Sequence, residues 1–125
     1  MTTRTRTVAL AAVLDILFVL LFVLIGRREH GSEGALLGFV TTAWPFLTGL
    51  AIGWLVTLAW RHPFGVVTPG VGIWLATVAG GMLLRLLSGQ GVQFTFIAVA
   101  VLALAAFLLG WRLIAHAIRR RRTTR

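Results

Sequence analysis

The side chains able to do charge chemistry in this sequence are few. They are three acids (Asp15, Glu29 and Glu33), three histidines (His30, His62 and His116) and twelve basic residues, all arginine. Cysteine is absent, so neither a disulfide framework nor a thiolate metal site can form. Asp15 stands out because it interrupts an apolar run over residues 8–25. An ionised carboxylate there must find a cation, take up a proton or meet water. At 1.5 Å per residue from Val8, Asp15 lies about 10 Å inside its helix. Arg112 is nearest in depth, roughly 3 Å closer to the same side if the last helix ends at residue 117. Arg85 belongs to the other side, more than about 10 Å away along the helix direction. Two expectations stay open: a clasp of Asp15 with Arg112 between first and last helices, or a protonatable carboxyl on a proton or ion pathway.

A second polar group forms at the opposite end, where Arg27, Arg28, His30, Arg85, Gln90 and Gln93 gather and Glu29 and Glu33 offset part of the charge. It reads either as an anion-accepting mouth or as arginines reaching lipid headgroups. His30 with Glu33 supplies too few ligands for a metal, and the connectivity keeps His30 away from His62 and His116. No nucleophile–base pair, phosphate-cradling glycine loop or pair of carboxylates is present. The expectation is a protein that is not an enzyme and holds no cofactor or metal.

These residues must be positioned by elements that live in lipid. Of 125 residues, 58% are hydrophobic and 12% charged, against roughly 25% charged in soluble domains. Four apolar stretches cover residues 8–25, 35–60, 66–87 and 94–117, each long enough to cross a hydrocarbon core ~30 Å thick. The joins between them are short, so consecutive helices must be antiparallel neighbours. Asp15 does not prevent insertion. A central Asp costs about 2.5–3.5 kcal/mol, whereas the fourteen Val, Leu, Ile and Phe residues of that stretch contribute on the order of 6 kcal/mol in favour. The same stretch exceeds the apolar core of a signal peptide and lacks a small-residue cleavage site after it, so it is expected to stay.

Arginine placement sets the expected orientation. Arg4, Arg6, Arg61, Arg112, Arg119, Arg120, Arg121, Arg122 and Arg125 fall on one side, and Arg27, Arg28 and Arg85 on the other. Both termini are therefore expected in the cytoplasm, with the chain in the cytoplasmic membrane. Trp60 and Trp111 are expected at that boundary. The net charge of +9 follows from this distribution and not from a groove-reading surface, which excludes nucleic acid as a partner. The basic tail over residues 118–125 is expected to meet anionic lipid.

Helices in lipid associate through small residues that let backbones approach. The second stretch carries Thr41, Pro45, Gly49, Gly53 and Thr57 at four-residue spacing. The third carries Gly72, Ala76 and Gly80, with Thr77 and Gly81 alongside. The fourth carries Ala98, Ala106 and Gly110. Packing within one bundle explains these stripes, and a homodimer face is the alternative. Pro45 withholds a donor from the Thr41 carbonyl, so a kink is expected, with Thr41, Thr42 or Thr48 available to compensate.

One combination of residues resembles a known family. Asp15 is followed by Gly26-Arg27-Arg28-x-His30, then Trp44-Pro45-Phe46 before Gly49, then Gly53-Trp54, Trp74, Gly80-Gly81-Met82 and Arg85. In this order, over residues 9–111, the chain resembles the prokaryotic family catalogued as domain of unknown function 3054, small four-helix membrane proteins of actinobacteria and haloarchaea. The resemblance implies the fold and the membrane location and adds no reaction. It also singles out Asp15, Arg27, His30, Trp44 and Arg85, beside Arg112, as a functional polar cluster.

The expected fold is an all-α, integral membrane, antiparallel four-helix bundle in a single domain. Its helix packing rests on Pro45, Gly49, Gly53, Gly80 and Gly81. Two functions fit: a structural or interaction subunit, assembled with itself or with a membrane-complex partner, and a proton or small-anion carrier using the mid-membrane carboxylate. A lipid-modifying enzyme would rest on the basic rim alone.

Overall fold

In lipid the backbone must satisfy its own hydrogen bonds, and the helix does this within one segment. The computed structural model describes residues 2–27 and 34–123. Arg28, Glu29, His30 and Glu33 lie outside the described residues, and so does the side chain of Arg27. The described chain forms α1 (Thr3–Arg27), α2 (Ala35–Thr57), α3 (Gly72–Leu87), α4 (Phe94–Leu104) and α5 (Gly110–Thr123). A wide π turn, Ala105–Leu109, joins α4 to α5, and the backbone stays helical on either side of it. The result is an all-α antiparallel bundle of four helices, each long and apolar enough to cross a membrane.

The ends differ from the sequence reading for local reasons. α1 starts at Thr3 and not at residue 8, because the Thr2 hydroxyl accepts the Thr5 N–H at 3.1 Å and caps the first turn. α2 stops at Thr57, short of residue 60. Leu58 turns left-handed (φ 53°) and a 3₁₀ turn, Ala59–Arg61, follows. The third stretch opens as a broken turn, Val66–Val71, with Thr68 extended (φ −124°, ψ 117°), before regular helix begins at Gly72. α5 continues through Thr123, well past residue 117. Arginine is a good helix former, and positive charge suits a helix C-terminus. The residues from 118 to 123 are therefore helix and not a loose tail.

The closest contact in the bundle is between α2 and α3, and glycine makes it. A Cβ on Gly49 would stand 2.8 Å from the Ala76 carbonyl and 3.0 Å from that of Thr77. On Gly53 it would stand 3.0 Å from Ile73 Cα, and on Gly80 3.1 Å from Gly49 Cα. On Gly81 it would run into the Phe46 ring. Pro45 is buried on the same helix, which remains helical through it. The Thr48 hydroxyl donates to the Trp44 carbonyl at 2.8 Å. Trp74 ties α3 to α4 by donating to the Val101 carbonyl at 3.0 Å.

The interior is narrow and apolar, with Val19, Phe46, Ile73, Leu104 and Leu108 fully buried. Phe22, Phe46 and Phe96 form an aromatic cluster with ring centroids 5.3–6.0 Å apart. Leu36, Leu37, Val56, Val67 and Leu87 face outward, an apolar exterior that suits lipid and not water.

Candidate functional site

Against this interior, Asp15 and Arg112 are fully buried. α1 supplies the carboxylate and α5 the guanidinium. They meet as a two-pronged ion pair, Nη1 to Oδ1 and Nη2 to Oδ2, both at 2.8 Å. Two indoles complete the carboxylate's surroundings. Trp54 of α2 donates its Nε1–H to Oδ2, and Trp111 donates its own to Oδ1, each at 2.8 Å. An ionised carboxylate has about four lone-pair positions, and here four donors meet it. Charge-assisted bonds of this kind are short and keep the side chain in one orientation.

The guanidinium is also held from behind. Its Nε donates to the Pro63 carbonyl at 3.1 Å, and Nη1 donates to the Leu108 carbonyl, within the π turn, at 3.0 Å. Its carbon sits 4.4 Å from the centroid of the Trp111 ring. Gly70 leaves room for the side chain, since a Cβ there would lie 3.1 Å from Arg112 Cδ. The network thus joins α1, α2, α5, the loop at Pro63 and the broken turn at Gly70. A carboxylate and a guanidinium removed from water need this full set of partners to be tolerated.

Two recesses flank the pair along the seam between α1 and the α4–α5 rod. Toward the termini lies a recess of about 330 Å³ among Thr7, Arg61, His62, Phe64, His116 and Arg119. On the other side Phe18 stacks on Phe107 at 5.4 Å. Beyond that layer a cleft of about 530 Å³ opens among Phe22, Gln93, Phe96 and Phe107.

The other sequence candidates are not brought to Asp15. Trp44 is 39% exposed on α2. Arg85 lies at the far end of α3, with its guanidinium 4.5 Å from the Phe96 centroid and Nη1 donating to Gln90 at 3.2 Å. Its buried Nε has no hydrogen-bond partner among the described residues. Arg27 and His30 cannot be placed beside it, since the Arg27 side chain and all of His30 lie outside the described residues. Trp111, expected as a boundary indole, is buried and bonded to Asp15.

Sequence reasoning missed both indole donors. For Trp111 a signal existed: it adjoins Arg112, and an indole N–H is a donor with no acceptor role. Trp54 could be found only by matching depths across α1 and α2. The meeting of His62 with His116 in one recess was also missed, because it depends on how the loop after Arg61 folds back against α5.

The sequence model of the family described as protein of unknown function (DUF3054) matches residues 12–115. No curated protein and no solved structure matches the chain. The match spans the ion pair, both indoles and the α2–α3 glycines.

Proposed function

Starting from the fact that the chain belongs to the DUF3054 family, whose description assigns no activity, we propose that it is a structural or interaction subunit of the cytoplasmic membrane. In this reading both termini are cytoplasmic, the protein is not an enzyme, and it assembles with a second copy or with another membrane protein. The Asp15–Arg112 pair acts as a fixed lock between the first and last helices. Its support is the saturation of the carboxylate by four donors at 2.8 Å, which leaves no lone pair for a travelling proton.

The observation that carries assembly is a small-residue face left uncovered. Gly49 and Gly53 face α3, so that stripe is occupied within the chain. Ala98 and Ala106 of the fourth rod are exposed, and a Cβ on Gly110 would meet nothing within 4 Å. Backbones of two helices can approach closely at such a face. Ala106→Leu and Gly110→Leu, made in the full chain and sized in nanodiscs by mass photometry, test it. Assembly size should drop in both while the melting temperature holds. A wild type that runs as a lone chain, or an unchanged size in both variants, would overturn the reading.

A second reading, a carrier for protons or a small anion, is favoured by the two recesses, one toward the termini and one beyond the Phe18–Phe107 layer. It requires Asp15 to leave Arg112 during transport. In proteoliposomes it calls for a pH-sensitive flux that Asp15→Asn abolishes, and equal flux in the mutant refutes it.

A further inference from the structure

The turn that joins α4 to α5 is wide without a local reason. Ala105–Leu109 reads Ala-Ala-Phe-Leu-Leu, with neither proline nor glycine, and alanine and leucine are the best α-helix formers. By contrast the broken turn Val66–Val71 contains Pro69 and Gly70. A helix departs from its regular path at proline, at glycine or where a side chain enters its hydrogen-bond ladder. The last applies to Ala105–Leu109, where the Arg112 guanidinium donates to the Leu108 carbonyl at 3.0 Å.

The two flanks of the turn are fixed in rotation by different neighbours. On the α4 side, Trp74 of α3 donates to the Val101 carbonyl at 3.0 Å, and Phe107 within the turn stacks on Phe18 of α1. On the α5 side, Trp111 and Arg112 both bond Asp15 at 2.8 Å. A π turn takes one residue more than an α turn. It therefore changes the facing of everything after it by about 100° and shortens the rod by about 1.5 Å. In a continuous α-helix Trp111 would take the direction that Arg112 now holds. Arg112 would then point where Leu113 points, and Leu113 is 55% exposed. The wide turn reconciles two facings that a regular helix through these residues cannot meet together.

We propose that this turn stores a one-residue register shift held open by the Asp15–Arg112 pair, and that releasing the pair closes the turn and rotates α5 on α4 by about 100°. The inference rests on the reading of the pair as a lock and names what is locked. Closure carries the whole of α5 with it. Ala115 moves to the direction of His116, and Ile118 to that of Arg119. His116 and Arg119 line the recess toward the termini, so closure replaces them there with apolar side chains. The ion pair and the recess form one device, in which the state of the first sets the lining of the second.

The sequence has no cysteine, so single cysteines at positions 113–119 can be spin-labelled one at a time in nanodiscs. Oxygen accessibility along them reads the facing of α5. The pair is neutralised as Asp15→Asn with Arg112→Met, which leaves no lone buried charge. The comparison is run in the full chain and in a chain lacking one of the adjacent alanines, Ala105 or Ala106, a deletion that removes the stored residue. Neutralisation should shift the accessibility pattern by one residue, about 100°, in the full chain and leave it in place in the shortened chain. No shift in the full chain, or an equal shift in both, overturns the inference. The shortened chain with its pair intact gives a second measurement. Its Trp54 and Trp111 indole N–H resonances should stay where they are in the full chain, and their displacement also overturns it. A loss of stability on neutralisation with no change of facing leaves the lock standing and overturns the register shift alone.

Discussion

Asp15 and Arg112 show what an ion pair needs in order to persist without water. The carboxylate is met by two guanidinium N–H groups and two indole N–H groups, and the guanidinium reaches two backbone carbonyls besides. Removing one partner leaves the other charged and buried, which costs about 3–5 kcal/mol. Asp15→Asn should therefore lower the unfolding free energy by about that much, with Arg112→Gln giving a loss of similar size. Trp54→Phe and Trp111→Phe each delete one bond to a charged acceptor and should cost about 1.5–3 kcal/mol. Unfolding in detergent, followed by circular dichroism, ranks these variants. An Asp15→Asn protein as stable as the wild type would show that the carboxylate is not the lock described.

Glycine at the α2–α3 contact and glycine in α5 make opposite predictions from the same substitution. At Gly49 a methyl group would press on two backbone carbonyls that cannot move independently of their helix. Gly49→Ala should cost about 1–3 kcal/mol. Gly110 has open space at the corresponding point, and Ala is a better helix residue by about 1 kcal/mol. Gly110→Ala should thus hold or raise stability in the same unfolding assay. The α2 break at Leu58 and the π turn at Ala105–Leu109 act at this scale too. The first returns the chain to place Pro63 against Arg112, and the second lets the Leu108 carbonyl receive the guanidinium.

Across the whole molecule the arginines divide unevenly. The recess at the terminal end, the α5 C-terminus and the first turn of α1 are rich in them, and the opposite end is not. Under the proposed topology, with the arginine-rich ends retained on the cytoplasmic side, a reporter fused after Arg125 should lie inside the cell. A tag inserted within residues 28–33 should label from outside in intact cells. The reverse pattern would invert the topology. The lipid-facing exterior predicts in addition that the chain stays with the membrane fraction when salt is raised, because apolar burial in lipid is not screened by salt.

Some of this was legible without coordinates. Four apolar runs and their short joins determined an antiparallel bundle, because 1.5 Å per residue and a hydrocarbon slab of fixed thickness leave few alternatives. Depth counting also put Arg112 nearest Asp15, and four-residue spacing marked Gly49 and Gly53 as points of close approach. Which helix those glycines approach, that Trp54 and Trp111 finish the carboxylate's shell, and that His62 and His116 line one recess with Arg61 are matters of rotation about each helix axis and of one folded loop. Periodicity constrains how far a residue lies along its helix. The facing of one helix toward another emerges only when all four pack, since in lipid every face is equally apolar and contact geometry alone selects among them.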